Sequence, residues 1–177
     1  MIRVGSVTIE CIRGDIAAQH GIDAVVCAAN PHLTSGAGVA GAIHDAAGPG
    51  LYREAAPLAP VETGDAVITG AHGLPNRHVI HTVGPIYGDD ERSAELLASC
   101  YRRCLELADD AGLGSVAFPA ISTGVYGYPL AEAAEVSLRT VLDAAKHLRS
   151  VRLIRFVLWS ARDLGVFVDR LEELGSA

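Results

Sequence analysis

The chain has 177 residues, half of them apolar, and carries a net charge of −7 at pH 7. No apolar run approaches the ~20 residues of a membrane helix, and Met1-Ile2-Arg3-Val4-Gly5 opens without an apolar h-region, so one cytoplasmic domain over 1–177 is expected. The acidic balance excludes the basic stripe of a duplex-binding protein, and the only lysine, Lys146, follows no glycine loop, which excludes a Walker-type phosphate loop.

In chain order, residues 7–12 alternate apolar and polar and read as a half-buried strand near a sheet edge. Residues 23–29 are short and continuously apolar, as in a central strand. Helices are expected near 39–47 and 50–57, with Gly48-Pro49 between them as a stop. Strands follow at 66–69 and 79–83, then a helix at 91–111 closed by Gly112. A strand at 116–119, a helix at 129–147, a strand at 153–159 and a helix at 161–174 complete the chain. Strands alternating with helices argue for an α/β fold.

The four cysteines (Cys11, Cys27, Cys100, Cys104) contain only one close pair, and the histidines form no H-x-x-x-H pair beside a Glu. Buried reduced thiols, no metal and no cofactor are expected. His78 and His81 lie three apart on a strand and should face opposite sides.

Two glycine-rich segments, 30–41 and 122–127, each follow an expected strand. In open α/β sheets, ligands bind beyond the carboxyl ends of the strands. Gly36-Ala37-Gly38-Val39-Ala40-Gly41 satisfies G-x-G-x-x-G, yet six residues separate it from its strand, and residues 58–63, which include Pro60, make a poor second strand for a ribose-binding acid. A Rossmann oxidoreductase is therefore the weaker reading. Glycine N–H groups opening a helix still suit a diphosphate.

Six ordered motifs carry a resemblance. They are Gly14-Asp15-Ile16, residues 23–31 (DAVVCAANP), residues 36–44 (GAGVAGAIH), Thr63-Gly64-Asp65-Ala66, residues 78–85 (HVIHTVGP) and residues 117–129 (AFPAISTGVYGYP). Together they resemble the macrodomain family, nearest the MacroD type, from about residue 4 to the C-terminus. The resemblance implies a three-layer α/β/α sandwich around a central mixed sheet. It implies binding of ADP-ribose and of mono-ADP-ribosylated proteins, and removal of ADP-ribose from them or deacetylation of O-acetyl-ADP-ribose. ADP-ribosylated nucleic-acid ends are compatible partners; a membrane is not.

By the same resemblance, Asp15 and the Ile16 N–H would hold adenine, and Asn30 the distal ribose. Gly36, Gly38 and Val39 would wrap the diphosphate from one side, and Ser122, Thr123, Gly124, Val125 and Tyr126 from the other. Trp159 would stack on adenine. Each has a structural alternative: a helix N-cap for Asp15, a strand-end turn for Asn30, a core position for Trp159. Active members carry an Asp directly after Gly-x-Gly-Val, where this chain has Ala40. Asn30, Gly38, Tyr126 and His44 are then the candidates for catalysis. His44 would share the helix face of Ala40 and could accept a proton near neutral pH. Two readings follow: a hydrolase of weak or substrate-assisted type, and a non-catalytic reader of ADP-ribose.

Overall fold

Strand β3 (Ala24–Ala28) sends alternate side chains to opposite sides. Ala24 and Val26 join one apolar core, Val25 and Cys27 the other. A strand with two apolar faces must be covered on both. The computed structural model, which describes residues Met1–Ala177, shows what covers them. Six further strands, β1 (Ile2–Val4), β2 (Val7–Arg13), β4 (Ala66–Gly70), β5 (His78–Thr82), β6 (Ser115–Phe118) and β7 (Leu153–Leu158), complete one sheet. Its order is β1-β2-β7-β6-β3-β5-β4. The five inner strands are parallel, and β1 and β4 run antiparallel at the edges. Helices α3 (Ser93–Asp110), α4 (Leu130–Ala145) and α5 (Ala161–Gly175) cover one face; α1 (Gly38–Ala47) and α2 (Pro49–Ala55) cover the other. This is the three-layer α/β/α sandwich around a mixed sheet.

Three elements differ from the sequence reading. Strand β1 is only three residues long, too short to show a period, and it joins β2 through the two-residue turn Gly5-Ser6. Strand β2 is therefore near the edge of the sheet, one place in from β1, which occupies it. Helix α2 stops at Ala55 and gives way to a single 3-10 turn, Ala56–Leu58, because Pro57 cannot donate to a helical ladder. Trp159 falls just beyond β7.

The larger core centres on four aromatic rings: Tyr101, Phe118, Phe156 and Phe167, with neighbouring centroids 5.0–5.8 Å apart. Tyr101 also reaches beyond the core. Its hydroxyl donates to the Pro119 carbonyl (3.2 Å) and accepts from the Ile121 N–H (3.1 Å), so a residue of α3 fixes the chain as it leaves β6.

At the opposite end of the sheet the buried Asp109 carboxylate accepts the backbone N–H groups of Arg149, Ser150 and Val151 at 2.7–3.1 Å. Burial alone would raise its pKa; these donors outweigh burial and hold it below the usual carboxylate value. A lowered folded pKa gives stability that is present above the unfolded pKa and is lost as pH falls through the folded one. Asp109→Ala should cost about 2–3 kcal/mol in urea unfolding at neutral pH. The gap between wild type and Asp109→Asn should close as pH drops below about 4; a gap constant across pH would show that the carboxylate's charge is not what matters.

Candidate functional site

Strands β3 and β6 pair only at Ala24↔Val116 and Val25↔Ala117. Beyond those residues β3 follows β5, through Ala28↔Thr82, while β6 follows β7, through Phe118↔Phe156. The chain thus turns to opposite sides of one gap, the switch point at which α/β sheets open a crevice. Residues 28–30, leaving β3, and 120–122, leaving β6, form the floor and one wall of a groove of about 310 Å³. Gly36 to Ala40 line the other wall, and Gly84, Gly124, Val125 and Tyr126 complete it.

The first wall is shaped by close backbone contact. A Cβ on Gly41 would meet the Gly36 carbonyl oxygen at 2.4 Å, so only glycine lets the loop fold onto the start of α1. The helix opens at Gly38 after Ala37, which offers no side-chain cap. The first N–H groups of an α-helix have no partner within the helix, and the residues that carry them here, from Gly38 to Ala40, line the groove. Asn30 also lines it, but its amide serves its own loop. Oδ1 accepts from the His32 and Thr34 N–H groups, and Nδ2 donates to Thr34 Oγ1 (2.8 Å) and its carbonyl. Ala40 presents only a methyl group to the groove.

The second wall hangs from Tyr101 and closes on itself through Tyr128 N–H to the Ser122 carbonyl (2.9 Å) and Gly127 N–H to the Gly124 carbonyl (3.0 Å). Tyr87 N–H donates to the Tyr126 carbonyl, and the Tyr87 and Tyr128 rings pack edge to face at 4.9 Å. The N–H groups of Gly124, Val125 and Tyr126 donate to no protein atom. Thr123 is turned inward, its hydroxyl on the Ala120 carbonyl (2.7 Å). Ser122 sits at φ +68°, a left-handed conformation unusual for a side chain. Its buried hydroxyl has no hydrogen-bond partner. Gly84 leaves room for that hydroxyl, since a Cβ there would lie 2.2 Å from it.

Asp15, Ile16 and Trp159 lie outside the groove lining but at the same end of the sheet, because β2 and β7 run parallel and end together at Arg13↔Leu158. Asp15 caps a 3-10 turn, Ile16–Ala18, accepting from Ala17 N–H (2.9 Å) through one carboxylate oxygen and staying exposed. Its position is braced from below: Arg155 donates to Glu10 and to the side-chain Oε1 of Gln19, and Gln19 Nε2 donates to the Asp15 carbonyl (2.8 Å). Ile16 is buried under this turn. Trp159 is 75% exposed, which rules out a core role.

His44 lies one turn beyond Ala40 on the same side of α1, as its helical spacing requires, but Ala40 lines the groove while His44 is buried away from it. The ring lines a separate depression with Thr34, Ser35 and Asp45, not the groove. Burial lowers its pKa, with Asp45 opposing. Behind it stand Cys27 and His81, both fully buried, and the three possible ligand atoms lie within 4.8 Å of one another. Burial, and then His44, push the His81 pKa down to about 4; burial pushes the Cys27 thiol up to about 12. This cluster comes from β3, α1 and β5, and no sequence spacing signalled it. The groove itself contains no carboxylate, imidazole or amine; Tyr126 is its only ionisable side chain.

Residues 26–137 match the Macro domain family model. The chain is 46% identical over 172 residues to a Salmonella typhimurium protein named O-acetyl-ADP-ribose deacetylase, covering 94% of this chain and 96% of that one. It is similar to an Oceanobacillus iheyensis macrodomain variant solved with ADP-ribose, with a TM-score of 0.94, 38% identity and coverage of 99% and 97% of the two chains. It is also similar to the Trypanosoma brucei macrodomain solved in complex with ADP-ribose, with a TM-score of 0.84, 37% identity and coverage of 91% and 68%.

The contact between Gly41 and Gly36 predicts that Gly41→Ala lowers stability by about 1–3 kcal/mol and speeds amide exchange across residues 36–41. Gly124→Ala, where a Cβ meets nothing within 4 Å, should change stability by less than about 0.5 kcal/mol. Equal effects of the two would remove the close-approach argument.

Proposed function

The chain belongs to the macro domain family, and from that premise we propose that it binds ADP-ribose and slowly hydrolyses its esters, either O-acetyl-ADP-ribose or mono-ADP-ribose joined to acidic side chains. The observation that carries the binding is the convergence of unengaged N–H groups, from the start of α1 and from Gly124 to Tyr126, on one groove beside the partnerless Ser122 hydroxyl. Such groups suit a diphosphate in a protein whose net charge is −7. Gly36, Gly38 and Val39 take one side of it; Ser122, Gly124, Val125 and Tyr126 take the other, and Thr123 braces the loop from within. The free carboxylate oxygen of Asp15 accepts the adenine amine beside Ile16, and the exposed Trp159 supplies a stacking face. Asn30 shapes the ribose end, and an amide contact to ribose hydroxyls exchanges with its hold on Thr34.

For hydrolysis the groove offers no general base, since Ala40 is a methyl group and His44 faces elsewhere. The attacking water is therefore oriented by the ligand's own phosphate and the loop N–H groups, an arrangement that gains from positioning and electrostatics but lacks proton transfer to the protein. The name of the Salmonella relative supports ester hydrolysis. Ala40 specifically favours the other reading, a reader that binds without turnover.

Calorimetry with ADP-ribose should show binding tighter than millimolar, weakened about 10–100-fold by Asp15→Ala; tighter binding of NAD would restore the dinucleotide-enzyme reading. Incubation with O-acetyl-ADP-ribose and with a protein mono-ADP-ribosylated on Glu or Asp should release product above a buffer control. Ala40→Asp should raise the rate by about 100-fold or more at similar affinity. Binding without any release would leave the reader alone.

A further inference from the structure

We propose that Cys27, His44 and His81 form a buried site for a zinc ion, separate from the groove and independent of the ligand reading above. Cys27 and His81 are direct register partners on β3 and β5, so their side chains share one face of the sheet. Helix α1 lies over that face and turns His44 onto them. The three donor atoms fall within 4.8 Å of one another. Zinc bonds of roughly 2.0–2.3 Å in a tetrahedron set donors about 3.3–3.6 Å apart, so small side-chain rotations complete the site.

The hydrogen bonds around His81 prepare it as a ligand. Thr69 Oγ1 donates to the Gly70 carbonyl (2.9 Å), and the same oxygen lies 2.9 Å from His81 Nε2. With its proton committed, the hydroxyl must accept, so Nε2 carries the ring hydrogen and Nδ1 presents a bare lone pair. That Nδ1 is buried and has no partner in the protein. A metal-bound imidazole shows the same arrangement, with the distal N–H donated to a fixed acceptor. Two imidazoles and a thiol form a borderline-soft set that suits zinc and not magnesium or calcium. On binding, the Cys27 S–H bond breaks, the sulfur bonds to the metal and the proton leaves to solvent. His44 also borders the outer depression of about 570 Å³, which gives an entry path and a place for water as fourth ligand.

The sequence led to the opposite expectation, because the donors lie on three elements with no motif spacing. A bound ion would tie β3 and β5 to α1, whose first turn forms one wall of the groove.

The test uses the full chain stripped with chelator and reloaded with zinc sulfate or cobalt chloride. One equivalent of zinc should bind and raise Tm, and cobalt should show a thiolate-to-metal charge-transfer band. Cys27→Ser should remove that band and weaken zinc binding by about 100-fold or more, while Cys11→Ser, at a half-buried cysteine outside the cluster, keeps both. If Cys27→Ser does not fold, His44→Asn at the rim of the cluster takes its place, with the same loss expected. Absence of the charge-transfer band in the wild-type chain would overturn the site. So would zinc binding unchanged in the folded cluster variant, which would assign the metal to surface groups such as His72 and Glu54.

Discussion

The separation of two neighbouring parallel strands governs this structure. β3 and β6 share two residue pairs and then part, one following β5 and the other β7. Their outgoing chains cannot continue to pair, so their backbone groups turn into the opening between them. Both glycine-rich loops begin there, and both are held by the cores beneath. The first folds closely onto the start of α1, where Gly41 leaves room for the Gly36 carbonyl. The second hangs from the Tyr101 hydroxyl, which is anchored among four aromatic rings. The groove is in this sense a property of sheet topology, and the loops finish it.

The two walls handle polar groups differently. The loop after β3 satisfies itself, with Asn30 bonded to His32 and Thr34. The loop after β6 leaves N–H groups unengaged, holds Ser122 in a left-handed conformation and buries its hydroxyl without a partner. Strained, unsatisfied backbone at the end of an otherwise well-bonded sheet is a mark of function. A short distance below, beginning on β3 itself, Cys27 meets His81 and His44 in a buried cluster whose surroundings lower the pKa of both rings and raise that of the thiol.

Much of this was legible from residue order. The central strand announced itself by being apolar at every position, and the glycine loops by following strand ends. Three things were hidden. β1 is too short to have a period, so the neighbour of β2 could not be seen. Helical spacing correctly placed His44 on the face of Ala40, but spacing along one helix cannot say how far along that face the groove extends; here it reaches Ala40 and stops short of His44. The meeting of Cys27, His44 and His81 depends on strand register and on the docking of α1, which are tertiary facts. Trp159 illustrates a further limit: its position at a strand end was readable, and its exposure was not.

The makeup of the groove also bears on how this protein can change over generations. Most of its lining is glycine, alanine and valine, and side chains such as Ala37 and Val125, the last 92% exposed, meet solvent at its rim. Substitutions at such positions leave the direction of the N–H groups intact, so much of the sequence around the groove is free to drift neutrally. The shape of the groove is stored in the path of the chain, where only a few glycines and buried anchors are indispensable. Its lining also carries no carboxylate, imidazole or amine, so the charge of the groove's own walls stays much the same across a wide span of cellular pH.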